Sequence, residues 1–334
     1  MNNRRKTAIS RSVDVCNGDA DGLCSLLQWR LHEPRISTLV AGLRRDVGLL
    51  ARVHARSGDE VLVCDLPMDC NRSALRRLLD CGATVQYFDH HVADEVTRHP
   101  RLRATVDFSR GVCTSLLVDR VLGGRYRGWA VVGAYGKNLT TVANGLALGM
   151  GLGAQARVRL RQLGELISYN ACGVDEADAT IAPAHLYEVL SRYSDPLDCL
   201  EAETVVQDLD VARQEDLSHA FALAPYWQDA HASVYMLPDT AWSRRVAGCV
   251  DKQFSVAEPQ RASAVLRSKG DGRFHASVRA PLGAPENVGE SLAGGRSAHW
   301  VVDDLPAGEV DHFIRSFSAS RWGGLRTPVF RAWR

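Results

Sequence analysis

At 334 residues the chain is long for one domain and comfortable for two, and 46% apolar with 24% charged residues is ordinary usage for a globular protein with a large core. A formal charge of +1 excludes bulk attraction to nucleic acid, so a phosphate ligand must be held by a local site. The nine cysteines (16, 24, 64, 70, 81, 113, 172, 199 and 249) are scattered, odd in number and free of any Cys-x-x-Cys pair, which fits a reducing compartment and not a disulfide framework.

No long apolar stretch follows Met1 to Thr7, so no signal peptide is expected. Residues 139–156 are small and apolar but rich in Gly, Asn and Thr, which argues against a membrane span. A cytoplasmic location is the expectation.

Ser12 to Cys16 is a short β-type run that breaks into Asn17, Gly18, Asp19, Ala20, Asp21 and Gly22, and a helical pattern follows through Leu31. Asp19 and Asp21 lie two apart in a turn and can converge on one hard cation, although the same residues suit an ordinary helix N-cap. Ile36 to Ala41 reads as a second strand, with a helix expected from Asp46 to about Ala55. Glu60 to Cys64 is a third strand ending on Asp65. Asn71 to Cys81 reads as a helix with Leu75, Leu78 and Leu79 on one face.

Thr84 to Phe88 is a fourth, buried strand, and it delivers Asp89, His90 and His91. Alone, that triplet would equally suit surface polar residues after a strand. Three carboxylate-bearing turns at successive strand ends are different. The expected fold is α/β with a doubly wound, mainly parallel sheet, and its strand C-termini share one edge, so Asp19, Asp21, Asp65, Asp89 and His90 can meet there.

These motifs, in this order and spacing over roughly residues 12–140, resemble the DHH phosphoesterase superfamily of RecJ-like exonucleases, oligoribonucleases, cyclic dinucleotide phosphodiesterases and exopolyphosphatases. The resemblance implies a manganese site of one or two ions, with magnesium as the alternative. Asp19 and Asp65 would hold one metal; Asp21, Asp65 and His90 would hold the other. His91 would contact the scissile phosphate and Asp89 would orient the site. Two cations a few ångströms apart can stabilise both the attacking and the leaving oxygen of an in-line phosphoryl displacement.

Two positions depart from the family pattern. A His or Asp often precedes the first motif aspartate, where this chain has Val15 and Asn17. The family's fourth motif is an apolar strand ending in a ligand aspartate, and the corresponding run from Trp129 ends in Gly136, Lys137 and Asn138. Three readings follow: Lys137 replaces the second metal's charge, another residue such as Asp107 supplies the ligand, or the motif lies elsewhere.

Thr114 and Ser115 open a helix through about Leu122, whose backbone N–H groups suit a phosphate as well as plain capping. Residues 139–232 look largely helical, with helices expected from Ala156 to Tyr169, Ala184 to Tyr193 and Leu197 to Ala224. From Ala232 strand-like segments return, including Ala262 to Arg267 and Arg273 to Arg279, joined by a hairpin turn at Lys269 to Gly272. A helix is expected from Glu309 to Phe317.

This order is similar to the C-terminal domain that accompanies DHH domains, a smaller α/β unit with a mixed sheet. The resemblance implies substrate binding by Arg279, following Ser277, and by Gly294, Gly295, Arg296 and His299, with Arg296 in the usual His place. The expected organisation is a catalytic domain at 1–195, a helical linker at 196–231 and a substrate-binding domain at 232–334. The expected activity is metal-dependent hydrolysis of phosphodiester or phosphomonoester bonds in small nucleotides or short oligonucleotides. The alternative is a nucleotide-binding protein with a degenerate metal site. No track for a long duplex is evident, no membrane partner is expected, and a homodimer is an open expectation.

Overall fold

The computed structural model describes residues 10–281, 299–320 and 322. The chain forms two compact units, 1–211 and 212–334.

The first unit is built on five parallel strands in the order β2-β1-β3-β4-β5: β1 (Ser12–Asn17), β2 (Ser37–Gly42), β3 (Glu60–Cys64), β4 (Thr84–Asp89) and β5 (Leu102–Val106). Because side chains alternate along a strand, each central strand feeds two cores. Val13, Val15, Val61, Val63, Val85 and Tyr87 pack on one face, against α2 (Met68–Asp80). Cys16, Leu62, Cys64 and Phe88 pack on the other, against α1 (Ala20–His32), α3 (Thr114–Val121), α4 (Arg127–Gly136) and α6 (Ala154–Asn170). Burial on both faces is why these strands read as apolar runs. Asp14 of β1 is wholly buried in this sheet; Arg30 of α1 pairs with both of its oxygens, and Ser37 Oγ donates to Oδ2 at 2.6 Å.

Further elements complete this unit: α5 (Thr140–Gly149), α7 (Pro183–Leu190), α8 (Pro196–Ala202), and α9 (Val205–Phe221), which crosses the division between the units. A 3₁₀ turn, Leu49–Arg52, stands where a helix to Ala55 was expected. The helix expected from Leu197 to Ala224 is interrupted at Glu203 and Thr204. β5 is short and only partly buried and carries Arg103 beside Leu102, so it has no apolar run to mark it in the sequence.

The largest revision concerns the run from Trp129. It is the helix α4, not a strand, and Trp129 to Tyr135 are buried all round. A wholly apolar run carries no periodicity, so strand and buried helix look alike in sequence. Glycines set its depth. A Cβ on Gly136 would lie 2.4 Å from Ala20 Cβ, and one on Gly164 of α6 would lie 2.3 Å from the Val132 carbonyl oxygen.

The second unit carries a mixed sheet in the order β10-β9-β8-β7-β6: β6 (Trp227–Gln228), β7 (Ala232–Leu237), β8 (Ala262–Ser268), β9 (Arg273–Arg279) and β10 (His299–Pro306). Among the described residues only the β7–β8 pair is parallel. β8 and β9 form the expected hairpin, with Gly270 and Gly272 at φ 86° and 75° supplying the left-handed turn. Helices α10 (Ala241–Val246) and α11 (Val250–Ala257) precede β8, and α12 (Val310–Ala319) follows β10. No described helix is long and apolar enough to cross a membrane.

Candidate metal centre

The strand order places a topological switch between β1 and β3, where chain connections leave in opposite directions and a crevice opens at the carboxyl edge. The register pairs Cys16 with Cys64 and Cys64 with Phe88, so Asn17, Asp65 and Asp89 end neighbouring strands in one row.

Asp19 is the N-cap of α1: its Oδ1 accepts from the N–H groups of Asp21 and Gly22 at 3.0 and 3.1 Å. Asn17 braces the same turn, its Oδ1 accepting from the Asp19 N–H at 3.0 Å. The capping reading and the site reading of this turn are therefore both right, since Asp19 Oδ2 remains and lies 3.7 Å from Lys137 Nζ.

Asp21 reaches the start of α3. Its two oxygens accept from the backbone N–H groups of Ser115 at 2.7 Å and Thr114 at 2.9 Å. The N–H groups expected to face a phosphate thus already serve a carboxylate, which a helix N-terminus stabilises in the same way. Burial and the nearby Asp65 charge push the Asp21 carboxyl up to about 6, against the opposing pull of Lys137.

Asp65 lies at the centre. It is fully buried, its N–H donates to the Phe88 carbonyl at 3.0 Å, and its backbone takes φ 59°, the left-handed region that few residues other than glycine adopt. Such strain gathers at functional sites. Its Oδ1 accepts from Thr114 Oγ1 at 3.0 Å and lies 3.3 Å from His90 Nε2. Its Oδ2 has no hydrogen-bond partner and lies 3.6 Å from Lys137 Nζ. Burial alone would raise this carboxyl, but the Lys137 ammonium and then the two histidines hold it well below the usual range.

Asp89 is the organiser of the histidine pair. Its Oδ1 accepts from the backbone N–H groups of His90 and His91 and from His91 Nδ1 at 2.6 Å. A carboxylate oxygen only accepts, so Nδ1 carries the proton in that bond. Burial works against protonation of His91, but the Asp89 bond raises its pKa. His90 Nε2 is buried, lacks a hydrogen-bond partner, and lies 3.6 Å from Asp21 Oδ2 as well as 3.3 Å from Asp65 Oδ1.

Ligand atoms of Asp65, His90 and His91 gather within 4.8 Å of one another. Carboxylate and imidazole donors at these separations suit an ion with bonds of about 2.0–2.2 Å, so the residues present fit a divalent metal.

Lys137 is the C-cap of α4. Leu139 N–H returns to Ala134 O and Asn138 N–H to Tyr135 O, both at 2.9 Å, while Asn138 takes φ 59°; this is a Schellman ending with asparagine in the usual glycine place. The side chain, 14% exposed, runs to Asp19, Asp65 and Asp21 at 3.7, 3.6 and 3.9 Å. Burial alone would lower its pKa, but these carboxylates hold it well above the ordinary value, so the ammonium stays charged.

Asp107 is not drawn in. Its Oδ2 pairs with Arg120 and its Oδ1 caps Ser109.

In the second unit, Arg279 Nε and Ser277 Oγ both donate to Asp251 Oδ2, at 2.9 and 2.6 Å, and His299 Nε2 lies 2.8 Å from Ser277 Oγ. Burial and the Arg279 charge lower the His299 pKa, Asp251 opposing. Asp251, in the first turn of α11, was missed in the sequence because an acidic residue there reads as ordinary helix chemistry. Gly294, Gly295 and Arg296 lie outside the described residues.

The five-stranded parallel sheet followed by a mixed-sheet unit is a fold shared with solved structures, a DHH domain among them. Neither a protein-family description nor a curated protein matches the sequence. Solved structures do. The chain is similar to a RecJ exonuclease bound to manganese, with a TM-score of 0.53 and 17% identity over 95% of this chain and 91% of that one. It is similar to RecJ from Thermus thermophilus in complex with Mn²⁺, with a TM-score of 0.54 and 17% identity, over 96% of this chain but only 53% of that one. The DHH domain of a protein described as a member of a family of ribosomal proteins matches with a TM-score of 0.56 and 13% identity, over 94% and 87% of the two chains.

Proposed function

We propose that the chain is a metal-dependent phosphoesterase acting on small nucleotides or short oligonucleotides. One observation carries the reading: His90 Nε2 is buried at a strand end with no hydrogen-bond partner, 3.3 Å from Asp65 Oδ1 and beside a histidine already oriented by Asp89. Unpartnered buried polar atoms are costly, and a ligand ion removes the cost.

Asp65, His90 and Asp21 would hold the ion, manganese or magnesium. When bound it supplies Lewis-acid charge that polarises a phosphoryl oxygen. The chain's own groups do the rest. The Asp89 bond orients His91 and favours its protonated ring, whose Nε2–H can hold a phosphoryl oxygen or pass its proton to a leaving oxygen. Thr114 Oγ1 and the Thr114 and Ser115 N–H groups lock Asp65 and Asp21 in place. Lys137 adds a fixed positive charge facing the same crevice. Arg279 and His299, both tied to Asp251, are the groups proposed to bind substrate phosphate.

A second reading is favoured by Lys137: a nucleotide-binding protein in which the cation among the carboxylates suppresses turnover. Mn²⁺-stimulated hydrolysis of bis-p-nitrophenyl phosphate, lost in Asp65→Ala, supports the enzyme. Nucleotide binding without Mn²⁺-stimulated turnover supports the binder.

A further inference from the structure

We infer that the Lys137 ammonium takes the place of one of two cations, on the Asp19 side of Asp65, and that the centre binds a single divalent ion on the Asp21 and His90 side. The inference rests on the metal-centre reading above and adds the number and position of ions.

The two oxygens of Asp65 divide the crevice. Oδ1 faces His90 at 3.3 Å, and Oδ2 faces Lys137 at 3.6 Å. On the Asp19 side the donors are few. Asp19 Oδ1 caps α1 and Asn17 Oδ1 accepts from the Asp19 N–H, while Lys137 Nζ lies within 3.7 Å of both Asp19 Oδ2 and Asp65 Oδ2 and 3.9 Å from Asp21 Oδ2. On the other side His90 Nε2 is unpartnered between Asp65 Oδ1 and Asp21 Oδ2.

The chain also fixes Lys137 in place. It ends α4, whose C-terminal dipole favours a cation. The close approach of Gly136 to Ala20 and the hydrogen bonds of Asn138 and Leu139 back into the last turn anchor its backbone.

A second ion on the Asp19 side would set a dication against the Lys137 ammonium, which lies 3.7 Å from Asp19 Oδ2 and 3.6 Å from Asp65 Oδ2.

The test is Mn²⁺ binding to the full chain by calorimetry, with electron paramagnetic resonance of the bound ion. The wild type is expected to take one ion, giving a magnetically isolated six-line spectrum. Lys137→Asp, checked for folding by circular dichroism, is expected to take two and to show spin coupling. Asp19→Asn is expected to keep one site and to change its affinity by less than about tenfold, whereas His90→Ala weakens it by more than about a hundredfold.

Two coupled ions in the wild type would overturn the inference and leave the metallohydrolase reading standing. No ion in the wild type would remove both. A folded Lys137→Asp that still takes one ion would show that Lys137 is not what excludes the second. If that variant does not fold, Asp19→Asn decides: a loss matching His90→Ala would place the ion on the Asp19 side and overturn the assignment.

Discussion

Lys137 Nζ lies 3.6 Å from Asp65 Oδ2, in a place where the sheet edge gathers three carboxylates around one ammonium. Removing that ammonium leaves buried negative charge without compensation. Breaking a buried pair from one side costs about 3–5 kcal/mol. Lys137→Met is therefore expected to lose stability of that order in urea unfolding with chelator present, and to regain most of it when Mn²⁺ is added, because an ion that binds only the native state stabilises it by mass action. A variant equally unstable with and without Mn²⁺ would contradict this.

The buried Asp14–Arg30 pair ties β1 to α1, apart from the crevice's donors. Arg30→Ala is expected to cost about 3–5 kcal/mol, while the double change Asp14→Leu with Arg30→Met, which removes both charges and keeps volume, is expected to recover much of it. Chemical unfolding of wild type, the single variants and the double variant forms the double-mutant comparison.

Two helical glycines with opposite surroundings give a matched pair. Gly164→Ala would force a Cβ to 2.3 Å from the Val132 carbonyl oxygen and is expected to destabilise by about 1–3 kcal/mol as α6 is pushed from α4. Gly145 of α5 has open space around the same position, and Gly145→Ala is expected to stabilise by about 0.5–1 kcal/mol through helix propensity. Thermal melts of both variants would show opposite shifts in Tm.

Asp59 provides a pH signature away from the metal centre. Burial opposes its ionisation, but N–H groups of Arg56 and Arg11 and the Arg11 guanidinium hold its pKa below the ordinary value. A folded pKa below the unfolded one stabilises fully above about pH 4 and loses that stabilisation as pH falls through the folded pKa. The stability gap between wild type and Asp59→Asn should therefore be constant near neutrality and shrink in acid; a gap that widens in acid would be the wrong sign.

The sheet and its acidic edge were legible because β1, β3 and β4 are apolar runs ended by polar turns, and parallel register brings those ends together. The identity of α4 was not, since Trp129 to Tyr135 is apolar on every side and its helical state is decided by packing on α1 and α6. Nor was the partner of Asp21. Its contacts with Thr114 and Ser115 join residues 93 and 94 positions apart, and no local pattern encodes a carboxylate capping a distant helix. Lys137 was visible as a departure, yet its position on the Asp19 side depends on how deeply Gly136 lets α4 descend.

The left-handed backbone of Asp65 has a consequence for how this protein responds to change. A residue chosen for folding alone at that position would be glycine, which adopts φ 59° without penalty, and after it asparagine. Asp65→Gly should relax the backbone but also remove the buried counter-charge of Lys137 and the acceptor of Thr114, and Asp65→Asn should separate lost charge from altered backbone. The aspartate marks a point where ease of the backbone and competence of the site pull in opposite directions.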